Sequence, residues 1–191
     1  VTGLPQNPKI SNISWSPDEK KIAFTHTTAT GVELYVLDMA SAKATKLTDA
    51  NLNANMGSPF SWYRDNQSLL VKMLPKNRPA LIDAKKDLPT GPTVSSSDGK
   101  KSSNRTYQDL LKNKTDETNF ETLVTSELYK LDLNGKATLY KKADLYAGEG
   151  FSPDGNYVLI TTIKKPYSYI VPLSRFPMTS VVYDLSGKEV K

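Results

Sequence analysis

Short runs of alternating apolar and polar residues, separated by turn residues, recur along the chain and predict β-strands. One arrangement returns three times: an aromatic residue, a turn built on an aspartate, and a strand of apolar residues. Its copies occupy 13–24, 60–71 and 150–160. In the first and third copies, Ser-Pro-Asp combines the fixed φ of proline with an aspartate that can hydrogen-bond its own backbone, which is typical of a β-hairpin.

A further alternating strand follows each copy and ends at an acidic turn residue, and a short outer strand comes after it. These segments are 32–38, 43–47, 126–132, 136–140, 180–184 and 188–190. Four strands in a unit of about 45 residues are the signature of a β-propeller blade. The sequence therefore predicts an all-β fold, a partial β-propeller of about three four-stranded antiparallel blades. A β-sandwich of short strands is the alternative.

The blades are predicted at 9–49, 57–144 and 145–191, within a single domain that spans 1–191. Closed propellers need roughly four to eight blades. Three blades therefore predict an incomplete ring that is a fragment of a longer protein. Its exposed blade edges favour self-association.

The middle blade is predicted to carry an insertion at 76–125, because the third hairpin copy follows the second at nearly twice the earlier spacing. The insertion is rich in Pro, Ser and Lys, which predicts an extended loop. Within it, 106–112 resembles a short helix capped by Thr106, and 118–123 predicts a further helical turn.

Composition excludes several kinds of chemistry. The chain has no Cys and a single His, His26, so disulfides, thiolate nucleophiles and His-rich metal sites are excluded. It contains no G-x-S-x-G, P-loop or H-E-x-x-H motif. We therefore predict no catalytic residue in this chain, no metal site and no cofactor. His26 lies in an alternating strand, where a half-exposed position is expected.

The net charge of +5 does not indicate a nucleic-acid partner, because the lysines are scattered in pairs along the chain. Nucleic-acid modules usually concentrate Arg and aromatic residues on one face. No apolar run approaches the length of about 18 residues that a membrane helix needs, so no membrane span is predicted.

Two sets of hairpin residues invite a functional interpretation but favour a structural one. The aspartates of the turns are interpreted as hairpin caps rather than as calcium ligands; they are Asp18, Asp65 and Asp154. The aromatic residues before these turns are interpreted as packing between blades; they are Trp15, Trp62 and Phe151.

The segment 163–177 departs from the blade pattern, because it lies between two strands that a tight turn could join. Three prolines stiffen it, and it carries Lys165, Tyr167 and Arg175. A stiff aromatic loop with these cations could bind a carboxylate through charge-assisted hydrogen bonds. Packing against a neighbouring blade explains the same residues equally well.

Three elements together resemble the propeller of glutamyl endopeptidases, which are serine peptidases of the prolyl oligopeptidase superfamily. They are the Trp-Ser-Pro-Asp hairpin at 15–18, the string RTYQDLLK at 105–112 and the string PYSYIVPLSRFP at 166–177. The hairpin occurs in many propellers, whereas the two strings are more specific. The resemblance covers nearly the whole chain.

The resemblance implies an N-terminal propeller over a C-terminal α/β-hydrolase domain of the same polypeptide, which would hold the catalytic Ser, Asp and His. The propeller would gate and help to recognise peptide substrates. Cleavage after Glu would need a cationic subsite, for which Arg175 is the first candidate, followed by Lys165 and Tyr167. Members of the family tend to carry Arg where Lys165 stands, and Lys offers a point charge rather than a bidentate fork.

The resemblance also suggests a periplasmic or exported bacterial protein. A stand-alone propeller that binds proteins or other ligands is the alternative function. An open reading frame that continues past Lys191 into a G-x-S-x-G element would distinguish the peptidase from the stand-alone module.

Overall fold

A computed structural model describes residues 1–83, 107 and 110–190. In this part of the chain the strands form three antiparallel sheets, taken in sequence order. The first sheet contains β1 (Ile10–Trp15), β2 (Lys21–Thr27), β3 (Val32–Asp38) and β4 (Lys43–Lys46). The second contains β5 (Phe60–Trp62), β6 (Ser68–Met73), β7 (Ser126–Asp132) and β8 (Ala137–Asp144), and the third contains β9 (Tyr146–Phe151), β10 (Tyr157–Ile163) and β11 (Met178–Asp184).

Each sheet is a meander in which consecutive strands pair, and neighbouring sheets pack face to face. One apolar cluster joins the first sheet to the second through residues such as Leu34 and Leu69. A separate cluster joins the second sheet to the third through Leu128 and Val158. Two successive interfaces, rather than one shared interior, are the packing of propeller blades. The predicted partial β-propeller is confirmed, and the sheets are called blades below.

The middle blade carries the predicted insertion between β6 and β7. The insertion contains helix α1 (Lys114–Val124), whose N-terminus is capped by the Asn113 side chain accepting from the Asp116 N–H at 2.8 Å. The helical turn expected at 118–123 is therefore part of a longer helix. Of the short helix expected at 106–112, the cap Thr106 and residues 108 and 109 lie outside the described residues. The described residues 107 and 110–112 are not helical, so the helix is not present there.

The last blade departs from the predicted four strands. Its sheet has three strands, and the expected outer strand at 188–190 is reduced to an isolated bridge between Tyr183 and Glu189. Asp184 accounts for the tight turn before this bridge, because its carboxylate accepts from the N–H groups of Ser186 and Lys188, both at 2.9 Å.

The turn aspartates cap their hairpins as predicted. Asp18 accepts from the Ser16 hydroxyl at 2.7 Å, and Asp154 accepts from the Asn156 N–H at 3.1 Å. These hydrogen bonds stabilise the charged carboxylates, so the pKa of Asp18 is lowered, and the pKa of Asp154 falls to about 2, the Ser152 hydroxyl having the largest effect there. The residue after each aspartate has a positive φ: Glu19 at 59°, Asn66 at 57° and Gly155 at 76°.

Two expectations about the first blade were wrong. His26 is buried rather than half-exposed, at 7% exposure: the Tyr35 ring packs edge-on against it with 6.2 Å between ring centroids, and its Nδ1 accepts from the Lys9 N–H at 3.0 Å. Trp62 and Phe151 lie in or against the inter-blade clusters, but Trp15 is 51% exposed. Trp15 faces no blade in the described part of the chain.

Candidate functional site

The segment between β10 and β11 forms a closed loop over residues 164–177. Its two ends are joined by a hydrogen bond from the Lys164 N–H to the Pro177 carbonyl oxygen at 2.8 Å. Within the loop, Leu173–Arg175 form a 3-10 turn in which the Arg175 N–H bonds the Pro172 carbonyl at 2.9 Å. The prolines fix φ and the turn fixes the local chain path, so the loop presents its side chains in set directions.

One side of the loop packs against the insertion of the middle blade. Tyr167 and Phe176 stack with their ring centroids 5.5 Å apart, and Phe120 of α1 lies edge-on to both, at 5.3 and 6.0 Å. Val124 of α1 and Ile163 of β10 belong to the same buried cluster. Edge-to-face and offset-stacked arrangements are the favourable geometries for aromatic pairs. The aromatic residues of the loop therefore do pack against a neighbouring blade.

Two carboxylates of α1 also hold the loop through polar contacts. Glu121 forms an ion pair with Lys165, with 2.5 Å between the closest atoms, and Glu117 accepts from the Tyr169 hydroxyl at 2.8 Å. Glu117 also pairs with Lys114, which lowers the pKa of the Glu117 carboxyl more than Tyr169 does. The helix thus neutralises a cation of the loop and fixes one of its tyrosines.

The three predicted substrate-binding residues are arranged unequally. Lys165 lies near Tyr167, with its Nζ 5.7 Å from the ring centroid, and it is already paired with Glu121. Burial, followed by the nearby Glu121 charge, raises the pKa of Tyr167. Arg175 is exposed, and among the described residues its guanidinium has no hydrogen bond or ion pair. A role for any of the three in substrate binding stays a prediction.

An apolar cavity of about 380 Å³ lies beside the 3-10 turn. Its apolar lining comprises Met56, Ala147, Ile163, Leu173 and Met178. Leu173 belongs to both the turn and the cavity wall, so the cavity opens next to the part of the loop that carries Arg175.

Two sets of buried polar contacts near the insertion were not predicted from the sequence. Asn53 donates its side-chain amide to the carbonyl oxygens of Leu123 at 2.9 Å and Thr125 at 3.1 Å, which anchors the C-terminal end of α1. Lys72 pairs with Glu149 across the second and third blades. A lysine inside the apolar run Leu69–Met73 was the available signal, because a buried charge requires a partner.

In the described part of the chain, no group of His, Asp or Glu residues is arranged to hold a metal ion. No helix there has the length and apolar character needed to cross a membrane.

The fold places the chain in a structural class, since its three stacked meanders match solved β-propellers. The propeller domain of the Trilobed protease from Pyrococcus furiosus matches with a TM-score of 0.53 at 14% identity, over 95% of this chain and 42% of that chain. Acylaminoacyl peptidase from Pyrococcus horikoshii matches with a TM-score of 0.55 at 16% identity, over 95% of this chain and 24% of that chain. At these identities the likeness shows the fold alone.

Two plant proteins, each named probable glutamyl endopeptidase, chloroplastic, are similar in sequence to the whole chain. The identity is 32% over 204 residues for the protein of Oryza sativa subsp. japonica and 33% over 201 residues for that of Arabidopsis thaliana. The chain spans 21% and 20% of the length of these relatives. No protein-family model matches the chain. The chain is therefore a propeller segment that is similar, over its whole length, to about a fifth of two proteins named as probable glutamyl endopeptidases.

Proposed function

We propose that this chain is a non-catalytic propeller segment of a prolyl oligopeptidase-type serine peptidase, and that it gates and helps to recognise peptide substrates. The chain supplies no catalytic Ser-His-Asp set in this proposal, and the hydrolase domain lies elsewhere in the same polypeptide. The support is its sequence similarity, over its full length, to a fifth of two proteins named as glutamyl endopeptidases.

Arg175 contacts the acidic side chain of the substrate in this proposal. The observation that carries it is the contrast between two cations of the same loop. Lys165 is engaged by Glu121, whereas Arg175 is exposed with no partner among the described residues. An unpaired guanidinium can offer a carboxylate two parallel hydrogen bonds. The cavity beside the turn would receive an apolar side chain of the same peptide.

The test is the Arg175→Ala variant of the intact gene product, assayed on two peptides that differ only by Glu or Gln at the cleavage position. Charge-assisted hydrogen bonds contribute about 1.5–3 kcal/mol, so kcat/KM for the Glu peptide should fall by about 10- to 100-fold. The value for the Gln peptide should change little. The Lys43→Ala variant is the matched control, because Lys43 is an exposed cation on β4 of the first blade.

Equal losses on both peptides would assign Arg175 a packing role instead. If the intact gene product hydrolyses neither peptide while it is folded, the peptidase proposal itself is overturned.

A further inference from the structure

Arg78 lies in the first part of the insertion of the middle blade, where both its backbone and its side chain are held. Its N–H donates to the Pro75 carbonyl oxygen at 3.1 Å, which closes a turn, and the following Pro79 restricts its backbone to extended conformations. Its Nε donates to the Thr122 carbonyl oxygen of α1 at 3.0 Å. The guanidinium is therefore fixed between the turn and the helix.

The contact of Nε with α1 has a structural purpose. The last carbonyl groups of an α-helix have no partner within the helix, and a cation near that end is favourable. The last turn of α1 contains no basic residue, so Arg78 supplies both the missing donor and the positive charge. This role uses Nε and leaves the N–H groups of Nη1 and Nη2 free for another partner.

No protein group takes up these remaining donors in the described part of the chain. Neither Nη atom of Arg78 has a hydrogen bond or an ion pair there. Arg78 is half-buried and lines a cavity of about 340 Å³ beside α1. Two prolines and two threonines also line it: Pro75, Pro79, Thr118 and Thr122. Donors that are partly removed from water are costly to leave without an acceptor, and a bound anion would supply one.

The carboxylate that shares this cavity is already engaged. Glu121 also lines the cavity, but it pairs with Lys165 of the loop at 164–177, which offsets its negative charge. The charge of Arg78 is therefore left over. A single positive charge suits a singly charged carboxylate better than a phosphate, which carries nearly two negative charges at neutral pH. A guanidinium can also offer a carboxylate two parallel hydrogen bonds.

We propose that the cavity between the turn at 75–78 and α1 is a carboxylate-binding site, in which Nη1 and Nη2 of Arg78 each donate to one carboxylate oxygen. Because Nε stays on the Thr122 carbonyl oxygen, the carboxylate approaches the guanidinium end-on. An acidic side chain of a peptide and a free carboxylic acid share this chemistry. The site is separate from the one proposed for Arg175, and it concerns binding alone, so it does not rest on the proposed peptidase function.

Arginine-selective modification of the intact gene product by phenylglyoxal tests the site, because peptide mapping by mass spectrometry reports each arginine separately. The main probe is a capped Ala-Glu-Ala peptide with an N-methylated bond after Glu, which prevents cleavage. Its Gln counterpart, glutarate and inorganic phosphate are the other probes. With the Glu peptide at about ten times its Kd, the modification of Arg78 should slow by about tenfold, and the Gln peptide should have little effect. Arg64 is the matched control, because it is an exposed arginine of the same blade that donates to the Pro153 carbonyl oxygen at 2.6 Å.

The pattern of protection decides the outcome. Protection of Arg78 by the Glu peptide assigns the site to peptides, and protection by glutarate alone assigns it to free acids; both support a carboxylate site. Protection by phosphate alone, or equally by the Glu and Gln peptides, would overturn the proposal. An Arg78 that does not react in the absence of any probe would overturn it too. Protection of Arg175 without Arg78 would contradict this proposal and leave the proposed function standing.

Variants give a second measurement. In an Arg175→Ala background, which removes the other candidate subsite, Arg78→Ala should raise the Kd of the protecting carboxylate by about 10- to 100-fold. Because Arg78 also caps α1, Arg78→Lys is the second variant: it keeps a cation near the end of the helix but cannot offer two parallel hydrogen bonds, so binding should still weaken. Arg64→Ala should leave the Kd unchanged. An unchanged Kd in a folded Arg78 variant would overturn the proposal.

Discussion

Lys72 and Glu149 form a buried ion pair that joins the second and third blades, with 3.2 Å between Lys72 Nζ and Glu149 Oε2. The two side chains are only 2% and 4% exposed. Lys72 also donates to the Met56 carbonyl oxygen at 2.7 Å, so its charge is partly satisfied by the backbone. The pair lies between strands of different sheets and therefore fixes how the two blades sit on each other.

Removing one partner of this pair should destabilise the fold strongly. We expect Lys72→Met to lower the free energy of unfolding by about 3–5 kcal/mol, because it leaves an uncompensated buried carboxylate. The measurement is the shift of the urea unfolding transition of the intact gene product at neutral pH. Replacing both residues, in Lys72→Met with Glu149→Met, should recover most of the loss. Equal losses for the single and double variants would show that packing, not charge, dominates.

The same ion pair predicts that the destabilisation caused by Lys72→Met depends on pH. Burial raises the pKa of Glu149, and Lys72 opposes this effect. An acid whose pKa is higher in the folded protein makes the fold less stable as pH rises from the unfolded pKa to the folded one. Without Lys72 the folded pKa rises further. The stability difference between wild type and Lys72→Met should therefore grow from pH 4 to neutral pH, and a constant difference would contradict this account.

The hairpin aspartates predict the opposite pH dependence of stability: they stabilise the fold more as pH rises. The pKa of Asp154 is lowered to about 2 from its usual 3.8 by hydrogen bonds, the Ser152 hydroxyl having the largest effect. Its stabilising contribution is therefore present above about pH 4 and is lost as pH falls toward 2. Asp154→Ala should destabilise the protein at pH 6, and the difference from wild type should shrink in acid. Unfolding transitions of the wild type and the variant, measured at pH 6 and again at a pH near 2, check this.

The residue after each turn aspartate has a positive φ, so exchanging glycine and non-glycine residues there should change stability in opposite directions in two of the hairpins. Gly155 has φ of 76°, and an added Cβ would lie 2.8 Å from the Arg64 Cβ. The left-handed conformation alone costs a non-glycine residue about 1–2 kcal/mol, so Gly155→Ala should destabilise by at least that amount. Glu19 occupies the equivalent position at φ of 59°, so Glu19→Gly should stabilise the first hairpin. Thermal unfolding of both variants provides the comparison, and a stabilising Gly155→Ala would refute it.

Phe120 should control the order of the loop at 164–177. The ring touches both Tyr167 and Phe176, so Phe120→Ala removes two aromatic contacts at once. Because Phe120 is only partly buried, we expect a loss of about 2–3 kcal/mol, less than for a fully buried phenylalanine. Hydrogen exchange should accelerate in the loop more than in β10 or β11. Phe24→Ala is the control, because Phe24 is a buried aromatic residue of the first blade that should leave the loop unaffected.

The blade repeat could be recognised from sequence because its signals are local. A turn aspartate lies within two or three residues of the groups that it bonds, as Asp65 does with Gln67 and Ser68, so the printed sequence carries the whole interaction. The exposure of Trp15 could not be foreseen, because it depends on which blade lies beside it. His26 was misjudged because its partner, Lys9, is 17 residues away.

The sequence predicted where the loop that carries the candidate residues lies, but not which of its cations are paired. The departure of 163–177 from the blade pattern identified the loop, since an aromatic, proline-stiffened segment replaces a tight turn. The pairing of Lys165 with Glu121 was not accessible, because the two residues lie 44 positions apart and belong to different blades. Only the folded structure distinguishes the neutralised cation Lys165 from Arg175, whose guanidinium has no partner among the described residues.

The loop at 164–177 owes its shape to a helix that the neighbouring blade provides. If that loop alone were grafted into another propeller, it would lack the contacts that hold its conformation, because Phe120, Glu117 and Glu121 belong to α1 and would not be transferred. Protein engineers who wish to move this surface should transfer α1 with it, as one two-part cassette.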